Sequence, residues 1–231
     1  MPRRTLAPLH PYGWKFIAAA AAAAAVLFAF VPSLGWVALI VTLWIVYFFR
    51  DPWRVTPIRP GLIVSPADGV VVALGPVPPP VELQMGEAAM TRIGIFLNLF
   101  DVHVARAPLA GRVAARHYTK GRFVNASLDK ASTDNERLAI RLTPADGPEG
   151  ADIAFVLIAG LVARRIVCPL FAGQRLAAGE RIGLIRFGSR VDVYIPPPFV
   201  PLVALGQRMI GGETVLADSS AGQPPHDFVA H

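Results

Sequence analysis

The whole sequence has a single cysteine, and its first fifty residues contain no acidic residue. Both features restrict the class of protein to which the chain can belong. Cys168 alone cannot form an intrachain disulfide, which is compatible with a reducing compartment. The chain also lacks metal-ligand spacing, a Walker loop and a GxGxxG segment before a helix, so we predict no metal or nucleotide site. The net charge of +6 divides into +4 over residues 1–50 and +2 over the remainder. A nucleic-acid-binding domain would carry the basic excess itself, so we predict no nucleic-acid partner.

The first fifty residues contain two uncharged apolar runs, Phe16–Val31 and Leu34–Phe49, separated by Pro32-Ser33. At about 1.5 Å per residue, each run spans about 24 Å, short of the ~30 Å hydrocarbon core unless flanking residues count. We predict that residues 1–50 form a two-helix membrane hairpin. A pair of interfacial helices and a cleaved signal peptide are the alternatives. Because the basic residues flank the runs and none lies in the turn, the positive-inside rule predicts that the following domain is on the cytoplasmic side of the cell membrane.

Residues 51–220 are predicted to form a single mainly β domain (α+β at most), because nearly every apolar segment is short, β-branched and bounded by Gly or Pro. The turn spacing of Gly173–Gly183 indicates a barrel-like or sandwich domain with hairpins of the lipoyl-carrier kind. Pro76–Pro80 is predicted to be a stiff loop and residues 221–231 a disordered tail. The candidate strands are Leu62–Val64, Gly69–Leu74, Arg92–Leu97, Val102–Ala105, Arg112–Tyr118, Arg137–Leu142, Ile153–Ile158, Val162–Val167 and Ile182–Ile195.

The last of these segments, Ile182–Ile195, contains Gly188-Ser189 at its middle. With a period of two, Ser189 falls on the apolar face together with Val191 and Val193, while Arg190 takes the other face. A hydroxyl on an apolar face requires a hydrogen-bond partner, and a Gly weakens a strand unless the backbone bends there. Taken alone, the segment indicates a β-bulge with a small polar residue.

Two histidines, His103 and His117, lie within the predicted domain. A strand histidine is more often structural than catalytic, and Asp68, in the turn before a strand, is an ordinary turn residue when taken alone. The order of short motifs along residues 48–200 changes that interpretation. The motifs are Phe48-Phe-Arg-Asp-Pro52, Ser65-Pro-Ala-Asp-Gly69, Asp101-Val-His103, Gly121-Arg-Phe-Val-Asn-Ala126, Asp129-Lys-Ala-Ser132, Asn135-Glu-Arg137 and Phe187-Gly-Ser-Arg190.

This ordered series resembles the short (type A) form of the phosphatidylserine decarboxylases, a self-processing, pyruvoyl-dependent family. The resemblance implies a proenzyme that cuts itself between Gly188 and Ser189 into a β chain, 1–188, and an α chain, 189–231, which stay together as a heterodimer or a higher oligomer. Attack of Ser189 on the Gly188 carbonyl, elimination and hydrolysis would leave a covalently bound pyruvoyl cofactor. Schiff-base chemistry on that group would convert phosphatidylserine in the membrane to phosphatidylethanolamine and CO₂.

A serine nucleophile needs a base, and the base is best oriented by a carboxylate. The resemblance gives these roles to His103 and Asp68. Longer-form members carry His-x-x-His, whereas the second position here is Arg106. We favour His103 serving both self-cleavage and decarboxylation over a contribution from His117. For Arg106, two interpretations stay open: binding of the substrate phosphate or carboxylate, or a solvated salt bridge.

Two other functions compete with the enzyme that the resemblance implies. One is a membrane-anchored barrel that acts as an adaptor or carrier-like domain without chemistry. The other is a pyruvoyl decarboxylase of a soluble amino acid, against which the membrane segment argues.

Overall fold

The computed structural model describes residues 7–121, 135–146, 150–160, 165–186 and 188–220. Several predicted features lie wholly or largely outside the described residues. They are the predicted tail, Phe187, the two motifs that begin at Gly121 and Asp129, and positions 162–164 of one candidate strand. The chain forms two compact units. One comprises Met1–Trp53 and Phe100–Val102, and the other comprises Arg54–Leu99 and His103–His231.

The first unit is a pair of apolar helices, as the sequence predicts. After a short 3₁₀ turn, α1 covers Trp14–Phe30 and α2 covers Pro32–Phe48, joined by the single residue Val31. Pro32 occupies the first turn of α2, where a helix has no use for a backbone N–H. The helix that begins with the 3₁₀ turn, Pro11–Phe30, is long and apolar enough to cross a membrane by length and composition, and α2 is shorter.

The chain enters and leaves this helix pair at the same end. The backbone N–H of His10 donates to the Phe49 carbonyl at 2.8 Å, and that of Asp51 donates to the Pro8 carbonyl at 2.7 Å. At the opposite end, a Cβ on Gly35 would lie 2.5 Å from the Phe28 ring, so the two helices approach more closely there than a larger residue would allow. The pair is therefore a closed hairpin.

The second unit is mainly β, and its described strands form three antiparallel sheets. The strands are β1 Leu62–Val64, β2 Gly69–Val77, β3 Met90–Leu97, β4 Val104–Arg106, β5 Gly111–Thr119, β6 Arg137–Pro144, β7 Ile153–Ala159, β8 Ile166–Val167, β9 Arg175–Leu176, β10 Arg181–Ile185, β11 Ser189–Ile195, β12 Val200–Pro201, β13 Arg208–Met209 and β14 Val215–Asp218. An eight-stranded sheet has the order β13-β2-β3-β11-β7-β6-β5-β9, and two three-stranded sheets have the orders β1-β14-β12 and β4-β10-β8.

The large sheet has apolar side chains on both faces. Alternate residues of β11, including Val191 and Val193, join the main core, while Tyr194 joins a smaller cluster on the opposite face with Leu83 and Met90. Burial on both faces explains why every residue of β11 is buried. A strand in this position is held by packing on two sides as well as by two hydrogen-bonded neighbours.

Two predictions about strand boundaries are wrong. Ile182–Ile195 is not one strand, because β10 and β11 belong to different sheets and the chain turns at Gly188, whose φ is +71°. Pro76 belongs to β2 and not to a loop. It pairs with Thr91 of β3, and β13 covers the other edge of β2 only near Gly69, so at Pro76 the missing N–H costs no described ladder bond.

Candidate active site

Ser189 is the first residue of β11, the fourth strand of the eight-stranded sheet. It pairs with Leu97 of β3 on one side and with Ala159 of β7 on the other. The residue is fully buried, and among the described residues its Oγ has no hydrogen-bond partner. A buried hydroxyl without a partner costs about 1–3 kcal/mol, so this position is costly unless the hydroxyl has a use. The alternation predicted the face on which Ser189 lies.

Gly188 holds the backbone immediately before this serine in a left-handed conformation, with φ +71°. A Cβ at this position would have Leu99 Cδ2 as its nearest atom, at 3.9 Å, so space does not demand glycine here. The backbone conformation does, because L-residues pay a steric penalty in this region. The turn separates β10 from β11 and presents the Gly188–Ser189 peptide at the end of the strand.

Both polar atoms of Gly188 are engaged. Its N–H donates to Nε2 of His103 at 3.2 Å. Its carbonyl oxygen accepts a hydrogen bond from the Gly160 N–H at 3.1 Å, which continues the ladder beyond the pair of Ser189 with Ala159. A carbonyl that already accepts an N–H bond is polarised toward attack at its carbon, which is how oxyanion-stabilising donors act.

His103 lies just before β4 and is buried, and its position is fixed by its own backbone. Its carbonyl accepts from the Ile185 N–H at the end of β10, at 3.1 Å. Because Nε2 accepts from Gly188, this nitrogen carries no proton in the described arrangement and is able to act as a base. The structure thus brings His103 and the Gly188–Ser189 bond together, although they are 85 residues apart in the chain.

Asp68 makes its described hydrogen bonds with Arg54 and Gly211. Arg54 Nη2 lies 2.7 Å from Oδ2 and 2.9 Å from Oδ1, and the Gly211 N–H donates to Oδ1 at 2.7 Å. The carboxylate therefore ties the turn before β2 to the segment after residue 53 and to the loop between β13 and β14. Its role as the residue that orients His103 stays a prediction.

Arg106, at the end of β4, is buried. Its Nη1 donates to the Gly179 carbonyl at 3.0 Å, and a Cβ on Gly212 would lie 2.8 Å from its Cδ. This burial excludes the interpretation as a solvated surface salt bridge. His117, by contrast, is exposed on β5, three strands from β11 in the sheet order, or about 14 Å at the usual strand spacing.

Three polar contacts in β11 and around Ser189 were not predicted from the sequence. The buried Arg190 Nε lies 2.5 Å from Asp192 Oδ1, and Gly94 of β3 leaves room for this ion pair on the second face of the sheet. Asn135 donates from Nδ2 to the Ala159 carbonyl at 2.8 Å, next to the Ser189 pairing. The third is the Gly160 donor described above. Of these residues, Asn135 and Arg190 gave a signal in the sequence, because each belongs to one of the quoted motifs.

Burial is the largest influence on the pKa of two further groups, Tyr194 and Cys168. It raises the pKa of the Tyr194 hydroxyl to about 12, with a further contribution from the negative charge of Asp192, so the phenol is neutral at physiological pH. Burial likewise raises the pKa of the Cys168 thiol, which favours the unreactive protonated form. Among the residues that the structure describes, no group of three His, Cys, Asp or Glu side chains is arranged to hold a metal ion.

A mainly β unit in which a buried serine follows a glycine turn beside a histidine, together with an N-terminal pair of apolar helices, describes a β protein with a candidate active site at a chain turn. Known proteins narrow this description. Residues 41–217 match the family model described as phosphatidylserine decarboxylase. The chain therefore belongs to the phosphatidylserine decarboxylase family, which confirms the resemblance seen in the motifs.

Three relatives that are more than half identical to this chain over the aligned residues are named phosphatidylserine decarboxylase proenzyme. That of Ruegeria pomeroyi is 57% identical over 213 residues, covering 92% of this chain and 96% of the relative. That of Cereibacter sphaeroides is 56% identical over 211 residues, covering 91% and 90%. That of Paramagnetospirillum magneticum is 54% identical over 211 residues, covering 91% and 87%.

Proposed function

We propose that this protein decarboxylates phosphatidylserine to phosphatidylethanolamine and CO₂, using a pyruvoyl group that it makes from its own Ser189. The relatives' names supply the substrate and the word proenzyme. The observation that carries the self-processing step is the buried Ser189 hydroxyl without a described partner, beside a Gly188 whose N–H is bonded to His103 and whose carbonyl is bonded to Gly160.

These contacts support a proposed first step in which Nε2 of His103 gives up the Gly188 N–H and accepts the Ser189 hydroxyl instead. His103 takes the proton of the Ser189 hydroxyl, and Oγ attacks the Gly188 carbonyl carbon while the Gly160 N–H stabilises the developing negative charge on the oxygen. The bond from the Gly188 carbonyl carbon to the Ser189 nitrogen breaks, the nitrogen takes up the proton, and an ester replaces the amide. Because the attacked residue is a glycine, no side chain obstructs the approach to its carbonyl, and glycine also adopts the left-handed φ of this turn without a steric penalty.

Two further steps complete the cut. Loss of the Ser189 α-proton expels the Gly188 carboxylate by breaking the Cβ–Oγ bond and leaves a dehydroalanine. Water then adds and ammonia departs, so that the net reaction consumes one water, releases one ammonia and ends the β chain in a carboxylate. No oxidant is required, because elimination supplies the higher oxidation state of the α-carbon.

The environment of Ser189 fits a pyruvoyl group. The position is fully buried and borders the main core, which keeps water away from a reactive carbonyl. When present, this group supplies a carbonyl that binds the amine of the substrate and takes up the electrons released as CO₂ leaves. We propose that His103 also handles the proton at that stage, since Nε2 already reaches the residue before the cut. Arg106 is proposed to bind the phosphate or carboxylate of the lipid.

We also propose that the helix pair anchors the protein in the cell membrane with the β unit on the cytoplasmic side. Lys15 and Arg50 flank the hairpin at the end where the chain enters and leaves, and no charge lies at its turn. Anionic phosphatidylserine would be attracted to such a basic border. A reporter fused after His231 should read cytoplasmic, and a signal from the opposite side would reverse this orientation.

Mass spectrometry of the denatured protein tests the self-processing. The expected result is two chains separated between Gly188 and Ser189, with the second blocked by a pyruvoyl group, and a single uncut chain for Ser189→Ala. A wild-type chain that remains intact at 24.7 kDa would instead favour the adaptor function.

Two further measurements test the base and the substrate. His103→Ala should abolish or greatly slow the cut while His117→Ala cuts normally; normal processing of His103→Ala would remove it as the base. Release of CO₂ from phosphatidylserine vesicles but not from free serine is expected, and the reverse preference would indicate the soluble-substrate decarboxylase.

A further inference from the structure

We propose that Phe100 is a bilayer anchor, whose ring enters the boundary between headgroups and acyl chains of an anionic phospholipid membrane at a depth set by Arg50. The inference rests on the proposed function to the extent that the helix pair lies in a membrane. It adds an interaction surface outside the helices, formed by a loop that is remote from them in sequence.

The exposure of Phe100 is unusual for its surroundings. Its side chain is 64% exposed, whereas the next two residues, Asp101 and Val102, are buried. All three residues belong to the compact unit of the helix pair, although about fifty residues separate them from the end of α2 in the chain. Leu99, the residue before Phe100, is also exposed, so two apolar side chains are exposed next to two buried residues, and such a surface is a candidate for an interaction with an apolar partner.

Arg50 fixes the position of the Phe100 backbone beside the C-terminal end of α2. From one guanidinium nitrogen it donates to the Phe100 carbonyl at 2.7 Å, and from another to the Tyr47 carbonyl at 2.9 Å. The guanidinium carbon also lies 3.8 Å from the centre of the Tyr47 ring. A cation and a tyrosine at the end of an apolar helix mark the membrane interface, so the carbonyl of Phe100 is at interfacial depth.

Other aromatic side chains mark the same end of the hairpin. Tyr12 lies in the 3₁₀ turn before α1, and Trp14 is the first residue of α1. Tyr47 is the last residue but one of α2, and Trp53 follows that helix; all four side chains are exposed. Aromatic residues of this kind concentrate at membrane–water interfaces. Phe100 adds a further exposed aromatic ring to this group, and because its ring has no polar atom it is suited to the acyl side of the boundary between headgroups and acyl chains.

The partner is therefore a phospholipid surface, and the basic residues at this end of the hairpin favour an anionic one. Because Phe100 precedes His103 by three residues in the chain, we expect the anchor to matter more for a substrate in a bilayer than for a dissolved one. Phe171 is a matched control, since it is also a phenylalanine, is 62% exposed and belongs to the β unit.

The first test is independent of any activity. The full chain carrying Cys168→Ala receives Phe100→Cys or Phe171→Cys, is labelled with an environment-sensitive fluorophore and is reconstituted in vesicles of phosphatidylcholine and phosphatidylglycerol. At position 100 we expect a blue-shifted emission that is quenched by nitroxides attached near the lipid headgroup–acyl boundary. At position 171 we expect the emission of a water-exposed probe. Equal quenching at the two positions, or a water-like emission at position 100, would overturn the anchor.

The second test uses activity as a ratio. Loss of most of the apolar burial of one phenylalanine corresponds to about a tenfold effect. The ratio of decarboxylation on phosphatidylserine vesicles to that on dissolved short-chain phosphatidylserine should fall about tenfold in Phe100→Ser. It should be preserved in Phe100→Leu and Phe171→Ser. An unchanged ratio in Phe100→Ser refutes the anchor. Self-cleavage of Phe100→Ser, followed by mass spectrometry, should stay intact, so that a lower ratio is distinguished from a failure of the pyruvoyl proposal.

Discussion

Replacing Gly94 with alanine should destabilise the β unit far more than a Gly→Ala change in a neighbouring strand. Gly94 lies in β3 directly opposite Asp192 of β11. A Cβ at this position would be 2.6 Å from Nη2 of Arg190 and 2.9 Å from Oδ1 of Asp192. Both side chains are buried and are joined at 2.5 Å, so neither can swing into water to make room.

The expected magnitude has two opposing parts. Alanine in place of glycine within a strand stabilises a protein by about 0.5–1 kcal/mol when nothing clashes. Parting a buried ion pair costs about 3–5 kcal/mol, because each charge loses its partner without regaining water. Gly94→Ala should therefore lower the free energy of unfolding by about 2–4 kcal/mol. Gly75→Ala is the control, since a Cβ at Gly75 of β2 has no atom within 4 Å.

Urea unfolding of the full chain in detergent, followed by the far-ultraviolet signal of the sheet, measures both variants. To keep the polypeptide uncut, each is made in the Ser189→Ala background. We expect Gly75→Ala to unfold at the same or a slightly higher urea concentration than the parent and Gly94→Ala at a clearly lower one. If the two variants share a midpoint, the buried pair does not depend on the space above Gly94 and the reasoning fails.

Two further predictions concern backbone conformation and pH. Gly188→Ala and Gly86→Ala both place alanine at a positive φ with no neighbour closer than 3.9 Å, so each should lower the free energy of unfolding by about 1–2 kcal/mol. Only Gly188→Ala should also slow self-cleavage, by about tenfold, as measured by mass spectrometry over time. Burial acts to raise the pKa of Asp218, but hydrogen bonds from Ser220 and the ion pair with Arg59 outweigh it and lower that pKa below its usual 3.8. The charged carboxylate of Asp218 therefore stabilises the fold fully above pH 3.8, and this stabilisation is lost as the pH falls through the lower pKa of the folded state. The difference in urea midpoint between the parent and Asp218→Asn should be largest near neutral pH and should disappear in acid.

The face on which Ser189 lies was predictable because hydrophobic alternation along β11 is a local property. The turn at Gly188 was not, since glycine accepts both signs of φ and the sequence does not say which is used. The same limit explains why one predicted strand became two. Once the chain turns, β10 and β11 pair with different neighbours, which no local pattern records.

The polar face of β11 was also predicted in part. Arg190 and Asp192 lie on the face opposite Ser189, but they are buried and not solvated, because the segment carrying Leu83 and Met90 contributes to a second apolar cluster on that side. Coverage by a distant segment is a tertiary property. The short strands β12 to β14 escaped prediction for a related reason, since β14 pairs with β1, some 150 residues away, and two to four residues give no detectable period.

The position of β11 determines whether the protein can refold after the proposed cut. This strand lies between β3 and β7, while β13 and β14 from the same C-terminal segment pair with β2 and β1. The precursor can find this arrangement while its parts are tethered, but a separated C-terminal fragment would have to enter the interior of a sheet whose other strands had already closed without it. The precursor would then unfold reversibly, whereas the cleaved protein would stay folded only because it unfolds slowly. Heat or denaturant would inactivate the cleaved enzyme permanently, while the Ser189→Ala precursor would refold.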